Sequence, residues 1–486
     1  MPDIVYILAW GMLIVAAVAI PAAMLLRTRK LDKAPCAPPS LPPYDIGAAE
    51  HAAESLAQAV SYQTVSHTNQ MEHGGYGEWI RLREFLKNRY PLVHSSMAWE
   101  VVGGFSLIYR WAAAPAAEKE PILICAHMDV VPAGEGWTHA PFSGDIAEGF
   151  VWGRGTLDCK NVLISVFEAA EALIEQGFSP SRDIFFAFGH DEEIGGLEGA
   201  GAIADLFATR NARFAMVLDE GGSLGRSAIP AGRPVAHVGV AEKGMANLRF
   251  TAKSGGGHAA APPKQTEIGR LSEAVCRLEF RPVSPRLTPL VRDMLITLSP
   301  ELPWRWKFYL SNLWLFKSRV LKIMASRPDS NALIRTTAAP TMARGSGAPN
   351  VLPDTAEITL NMRMLHDEND VALTQYLTDL TADLDVEVEV LTSREPSKVS
   401  RYSGRDFQSV AASVRRVFGP TPVVPNLMYG GTDARNYESF SDCVFRFMPF
   451  LLTPAEHDRM HGRDERVSVE ALGRAVAFYT DLMKTF

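Results

Sequence analysis

FFAFGHDEEIGG, Phe185 to Gly196, runs five apolar-leaning residues into three consecutive acids and then two glycines. An almost continuous apolar run of this length reads as a strand buried on both faces of a parallel sheet. Asp191, Glu192 and Glu193 repel one another at its end. Either a solvated loop carries them, or something cationic sits at the strand end. The flanking sequence repeats the theme. Pro121 to Val131 (PILICAHMDVV) reads as a second buried strand, and Lys160 to Gln176 as an amphipathic helix stopped by Gly177. Gly199 to Ala208 suits a helix, and Phe214 to Glu220 (FAMVLDE) a third strand. Strands alternating with helices predict an α/β fold, a mixed, mostly parallel sheet flanked by helices. Ligands of such sheets gather beyond the carboxyl ends of the strands.

Between Met245 and Met364 the texture changes. MANLRFTAK and TAEITLNMRML alternate like half-exposed strands, and the stretch between them contains Trp304, Trp306, Phe308, Tyr309, Trp314 and Phe316. This predicts an inserted α+β domain with its own subinsertion. The expected organisation is an anchor at 4–26, a proline-rich linker at 27–43, a catalytic domain at 44–244 and 365–486, and the inserted domain at 245–364.

The chain has 486 residues, 47% apolar and 21% charged, which are globular proportions. A net charge of −7 and the lack of a basic stripe interleaved with aromatics argue against nucleic acid as a partner. The five cysteines are widely spaced and form no CxxC, which excludes a thiolate zinc site and a disulfide framework. Ile4 to Leu26 is uncharged for 23 residues, enough to span a bilayer as a helix. No basic stretch precedes it, unlike a cleaved signal. The expectation is a single-pass membrane anchor, with Arg27, Arg29, Lys30 and Lys33 placing the body on the cytoplasmic side.

Acids and histidines fall at strand ends or just beyond them. AHMDVVP supplies His127 and Asp129, two apart and so on one side of an extended chain; GRGTLDCKN supplies Asp158; GHDEE supplies Glu192 and Glu193; LDEGG supplies Asp219 and Glu220; MHGRDE supplies His461. Imidazole nitrogen with carboxylate oxygen suits zinc, cobalt or manganese. Taken singly, Asp158 reads equally well as a helix cap, and LDEGG as a turn. GAGAIA, Gly199 to Ala204, matches a dinucleotide fingerprint but follows no strand, so its context fails.

These motifs, together with GGHAAAPP, NALIRTTAAPTM, NVLP and GGTDAR in the same order, make the chain resemble the co-catalytic zinc metallopeptidases that include aminoacylases, glutamate carboxypeptidase and carnosinase. Within them it is similar to the branch of carboxypeptidase S and the N-fatty-acyl-amino-acid synthase/hydrolase. The resemblance implies two Zn2+ ions (Co2+ or Mn2+ as substitutes) bridged by Asp158, with a cis peptide bond after it. His127 and Glu220 would complete one ion, with Asp219 as the alternative to Glu220; Glu193 and His461 would complete the other. Asp129 would orient His127 and Glu192 would be the general base. His258 would stabilise the oxyanion from a partner subunit, because the inserted domain acts in this family as a lid and homodimer surface. Asn350, Arg363 and the loop Gly430, Gly431 and Thr432 would hold the substrate carboxylate. The implied activity is amide hydrolysis of N-acyl amino acids or Gly-Xaa-type dipeptides with a free C-terminal carboxylate. The alternatives are an aminopeptidase or diacylaminopimelate-type deacylase on the same fold, or a non-catalytic membrane-anchored binding protein. ARGSGAPNVLP and HAAAPP depart from the family pattern, in a lysine and in serines respectively, and this bears on substrate preference.

Overall fold

The computed structural model describes residues 2–32, 41–113, 119–225, 227–229 and 231–486. The chain forms two compact units. One comprises Pro35–Val240, Ser400–Asn426 and Gly431–Phe486; the other comprises Met1–Ala34, Ala241–Val399 and Leu427–Gly430.

The first unit is built on a nine-stranded sheet. Ile122–His127 runs parallel to Ile184–Gly189 on one side and to Met216–Asp219 on the other, and Val444–Arg446 continues the parallel run. Ala98–Val102 and Ser106–Trp111 close one edge in antiparallel fashion. Every residue of Ile122–His127 and Met216–Asp219 is buried, because both faces are covered. Leu123, Cys125 and Val217 pack with Ile203, Phe207 and Tyr437 on one face. On the other lie three mutually packed helices, Ile46–Ser61, Lys160–Glu175 and Val469–Thr485; Phe167 meets Phe188 there with ring centroids 5.4 Å apart. The expected fold class, a mixed α/β fold with a mainly parallel central sheet, is what the structure has.

The helix Lys160–Glu175 ends as its sequence predicts. Gly177 adopts φ +72°, and the Gly177 and Phe178 N–H groups return to the Ile174 and Leu173 carbonyls, each at 2.9 Å. Only a residue free of Cβ strain closes a helix this way cheaply. Gly199–Ala208 is less regular than expected: a wide turn at Leu197–Gly201 precedes a helix at Ala202–Thr209.

The second unit carries a four-stranded antiparallel sheet in the order Thr337–Arg344, Thr355–Met364, Gly244–Lys253, Glu387–Arg394. Helices Glu267–Phe280 and Asp370–Thr381 place Leu271, Ala274, Leu278, Leu373 and Leu377 in one core with Leu248, Phe250, Leu360 and Met362. The unit therefore runs to Val399 and not to Met364. Its fourth strand and second helix lie beyond the expected boundary, and the sheet cannot be completed without them.

The N-terminal segment is one helix from Pro2 to Leu31, with Pro21 inside it. The expected linker thus begins helical; its middle, residues 33–40, lies outside the described residues. Among the described residues no helix is long and apolar enough to cross a membrane, so the anchor expected at 4–26 finds no support there. The end of the helix is instead committed to the helix Trp304–Ser311 of the same unit. Met24 and Thr28 are buried; Thr28 Oγ1 lies 2.9 Å from Ser311 Oγ, and Lys307 Nζ pairs with Asp32 at 2.8 Å.

Candidate metal centre and active site

His127 closes its strand with a buried ring. Its Nδ1 lies 3.0 Å from the Asp129 carbonyl oxygen and 3.3 Å from Asp129 Oδ1, which turns Nε2 outward to Asp158 Oδ1 at 3.0 Å. The other Asp158 oxygen, Oδ2, lies 2.9 Å from His461 Nε2, and Glu193 Oε1 is 3.4 Å from the same nitrogen. One carboxylate thus presents one oxygen to each of two histidines contributed from positions 127 and 461. Asp158 is not the cap of the helix that follows: the capping position falls to Cys159 without a side-chain bond. The Asp158–Cys159 peptide is cis, as expected.

Two groups of ligand-spaced atoms share Asp158: His127 with Asp158 and Cys159, and Asp158 with Glu193 and His461, their atoms all within 4.8 Å of one another in each group. Cys159 is the poorer donor. Burial pushes its thiol up, and its Sγ already accepts from the His127 N–H at 3.2 Å. Glu220 belongs to neither group, but its buried carboxyl is pushed well up by desolvation and by the charges of Asp158 and Asp219. Asp219 Oδ1 accepts from the Glu220 N–H at 2.9 Å.

The electrostatics call for a cation. His461 is raised to about 10, chiefly by its contacts with Asp158 and Glu193. Burial opposes charging His127, yet the Cys159 sulfur, Asp129 and Asp158 raise it well above its usual value. In both cases a proton supplies the positive charge the carboxylates demand. The buried Glu193 Oε1 accepts no hydrogen bond among the described residues. Imidazole and carboxylate donors around a shared aspartate are the set that fits zinc, cobalt or manganese.

The three acids that end the opening strand have three positions. Asp191 caps the next turn, accepting from Glu198 N at 2.8 Å and Gly199 N at 2.9 Å. Glu193 turns to His461. Glu192 stands beside the cluster without joining either ligand group; burial first, then the charges of Glu193, Asp158 and Asp129, raise it to about 8, against the pull of His127. Asp129 ties these parts together. Besides orienting His127, its carboxylate accepts the N–H groups of Glu192 and Glu193, each at 3.1 Å, and the Ser66 hydroxyl at 2.7 Å.

The glycines of the motif also have a reason. A Cβ on Gly196 would stand 2.3 Å from Asp433 Oδ1 and one on Gly189 2.5 Å from Asp433 Oδ2, and Gly196 holds φ +69°. Gly196→Ala is expected to destabilise the protein by about 1–3 kcal/mol, from left-handed strain and the clash together. Urea denaturation reads this, and an unchanged midpoint would contradict it.

Arg154, Glu465 and the side chain of Asp433 were not anticipated. Arg154 and Glu465 form a fully buried ion pair. Glu465 Oε1 accepts from Gly155 N, Leu157 N and Asp158 N at 3.1, 2.7 and 3.3 Å. Arg154 Nη2 donates to the carbonyls of His461 and Gly462 at 3.2 and 3.0 Å. The pair clamps the loop bearing Asp158 to the loop bearing His461. Asp433 is buried, and desolvation followed by Glu192 and Asp219 pushes its carboxyl well up. Both the clamp residues and Asp433 occur in quoted motifs, but nothing in the sequence pairs positions 311 apart.

Of the remaining expected residues, Gly431 and Thr432 lie in the same unit as the centre, and Thr432 Oγ1 caps the turn that follows by accepting from Ala434 N at 3.2 Å. His258, Asn350, Arg363 and Gly430 belong to the other unit. There His258 pairs with Val351 across a short ladder, and Ala259 N donates to the Asn350 carbonyl at 3.0 Å, so His258 and Asn350 are neighbours. Arg363 Nε lies 3.3 Å from Asn361 Oδ1.

Comparison with known proteins places the chain in a family. Residues 123–485 match the model of peptidase family M20/M25/M40. A probable carboxypeptidase S-like 2 of Dictyostelium discoideum is 35% identical over 441 residues, covering 89% of this chain and 84% of the relative. The N-fatty-acyl-amino acid synthase/hydrolase PM20D1 of Mus musculus is 35% identical over 440 residues, covering 89% and 87%. Among solved structures, the M20 metallo-carboxypeptidase Sso-CP2 from Sulfolobus solfataricus superposes with a TM-score of 0.65 at 16% identity, covering 89% of this chain and 98% of that one. With the family match covering most of the chain, and relatives above 30% identity nearly end to end, the protein belongs to peptidase family M20/M25/M40 and is a hydrolytic enzyme of the metallopeptidase and amidohydrolase type.

Proposed function

We propose that this enzyme is a two-metal amide hydrolase that releases an amino acid with a free carboxylate from an N-acyl amino acid or a Gly-Xaa-type dipeptide. The observation that carries the reading is Asp158, whose two oxygens face His127 Nε2 and His461 Nε2 at 3.0 and 2.9 Å. His127, Asp158 and Glu220 or Asp219 would hold one ion, and Asp158, Glu193 and His461 the other. Two bound zinc ions, or cobalt or manganese, supply the Lewis acidity that polarises an amide carbonyl and makes water nucleophilic near neutral pH.

The residues of the chain do the rest. Asp129 keeps His127 in the tautomer whose Nε2 faces the centre, and fixes the backbone of Glu192 with the same carboxylate. Glu192 would take the proton of the attacking water on a carboxylate oxygen and deliver it to the leaving nitrogen. An amide nitrogen leaves poorly until protonated, so a group beside the ligands but not one of them is suited to the shuttle. His258 would stabilise the oxyanion, with Asn350, Arg363 and the Gly430–Thr432 loop gripping the substrate carboxylate. Homodimerisation through the second unit is part of this reading, and its exposed edge strand Thr337–Arg344 favours it; light scattering that returned only monomer would remove that part.

The names of the relatives favour an acyl amino acid or a dipeptide over a substrate recognised by its free amine. Hydrolysis of N-oleoyl-phenylalanine and of Gly-Leu by the zinc-loaded enzyme tests the substrate class. Turnover of at least one is expected, and its loss on chelation. An enzyme that turned over neither, yet cleaved an amino-acid amide lacking the carboxylate, would overturn the proposal in favour of an aminopeptidase.

A further inference from the structure

Outside the catalytic centre, the helical subinsertion of the second unit has an unusual surface. From Leu302 to Ser326 the chain carries five cations, Arg305, Lys307, Lys317, Arg319 and Lys322, and no acid, within a protein of net charge −7. Helices Trp304–Ser311 and Leu313–Met324 form a hairpin. Rings of Trp304, Phe308, Phe316 and Tyr309 make a continuous aromatic chain, with successive centroids 5.2, 5.3 and 5.1 Å apart. This cluster is not sealed: Trp304 is 52% exposed, Trp314 61% and Leu315 53%. The cations Arg305, Lys317, Arg319 and Lys322 are exposed beside them, while Lys307 is buried on Asp32.

The N-terminal helix extends this surface. Thr28 meets Ser311, and Asn312 Nδ2 donates to the Met24 carbonyl at 3.3 Å. These contacts fix the end of the helix to the hairpin, and Leu25, Leu26, Arg27, Arg29 and Lys30 are exposed there. Indole rings, aliphatic side chains and lysine or arginine heads on one surface are the combination that settles at a lipid headgroup layer. Trp partitions to the interface, and long basic side chains reach the phosphates. A second copy of the same surface is disfavoured by its own charge.

We infer that the hairpin Trp304–Met324, together with the end of the N-terminal helix, is a docking surface for a bilayer containing anionic phospholipid. It requires no helix to cross the membrane, and it does not depend on which amide the enzyme cleaves. It gives Trp304 and Trp314 a role at headgroup depth, with Lys317, Arg319 and Lys322 supplying the preference for anionic lipid.

The test is flotation of the full-length protein with vesicles of phosphatidylcholine alone or with roughly one third phosphatidylglycerol. Each surface cation is worth about fivefold in affinity for an anionic surface. Lys317→Gln, Arg319→Gln and Lys322→Gln combined are therefore expected to weaken binding to the mixed vesicles by roughly 100-fold, with little change on phosphatidylcholine. Trp304→Ser with Trp314→Ser is expected to weaken binding to both. In the unsubstituted protein, brominated lipid should quench a part of the tryptophan fluorescence that this double variant lacks. Hydrolysis of a short soluble substrate, measured alongside, should be unchanged in all variants and shows that they fold. Vesicle binding that ignores all five substitutions would overturn the inference and leave the N-terminal helix as the sole contact. So would absence of vesicle binding, or binding to soluble polyglutamate as tight as to the mixed vesicles, which would favour an acidic protein partner.

Discussion

Replacing Glu192 by glutamine is expected to lower kcat by about 10²–10⁴-fold while leaving metal content unchanged. The residue follows a buried strand and immediately precedes Glu193, yet it joins neither group of ligand-spaced atoms. Its backbone N–H is held by Asp129 Oδ1 at 3.1 Å, an arrangement that glutamine preserves. Shape and ligands therefore persist, and only the proton acceptor is lost. A variant that kept more than about a tenth of the activity would remove Glu192 from the proton shuttle, since a general base contributes at least a hundredfold. A variant that lost metal as well would make Glu192 a ligand.

Glu465→Ala is expected to be the most destabilising single substitution near the site. It strips Arg154 of its buried partner and leaves the N–H groups of Gly155 and Leu157 without their acceptor. Removing one member of a buried ion pair typically costs about 3–5 kcal/mol, because the remaining charge stays in a medium that cannot solvate it. The double replacement Arg154→Met with Glu465→Leu should cost less than the sum of the single changes, since no charge is stranded. The clamp also spans the loops of Asp158 and His461, so zinc affinity should fall by roughly 10–100-fold in the single variant. Urea denaturation and zinc titration read the two effects separately. A loss of under about 1 kcal/mol with unaltered zinc affinity would show that the pair merely fills space.

His127 and Glu193 were legible because they lie where strands stop, whereas Asp158 and His461 lie in loops and were assigned through the family resemblance. His127, Asp158, Glu193 and His461 were singled out, and the structure brings them together. Periodicity gave the helix Lys160–Glu175 and its glycine stop almost to the residue. What periodicity cannot give is pairing over long distances. Arg154 and Glu465 are ordinary charges in a linear reading and become a clamp only when the chain folds back over 311 positions. Asp158 read equally well as a cap, because it stands before a helix; the approach of His127 and His461 to its two oxygens is a long-range feature that no local pattern carries. The boundary of the inserted unit was read too early because Glu387–Arg394 pairs with Gly244–Lys253 across a long connection. The N-terminal apolar run looked like a free-standing anchor because a sequence does not reveal that Thr28 and Met24 are covered by the hairpin.

The account turns on Asp158 serving two ions at once, and zinc stoichiometry measured by elemental analysis on the purified chain tests it most directly. Two zinc ions per chain are predicted for the natural sequence, with Asp158→Asn losing both and with them hydrolysis. One zinc per chain in the natural protein, or two retained in Asp158→Asn, would contradict a bridged pair.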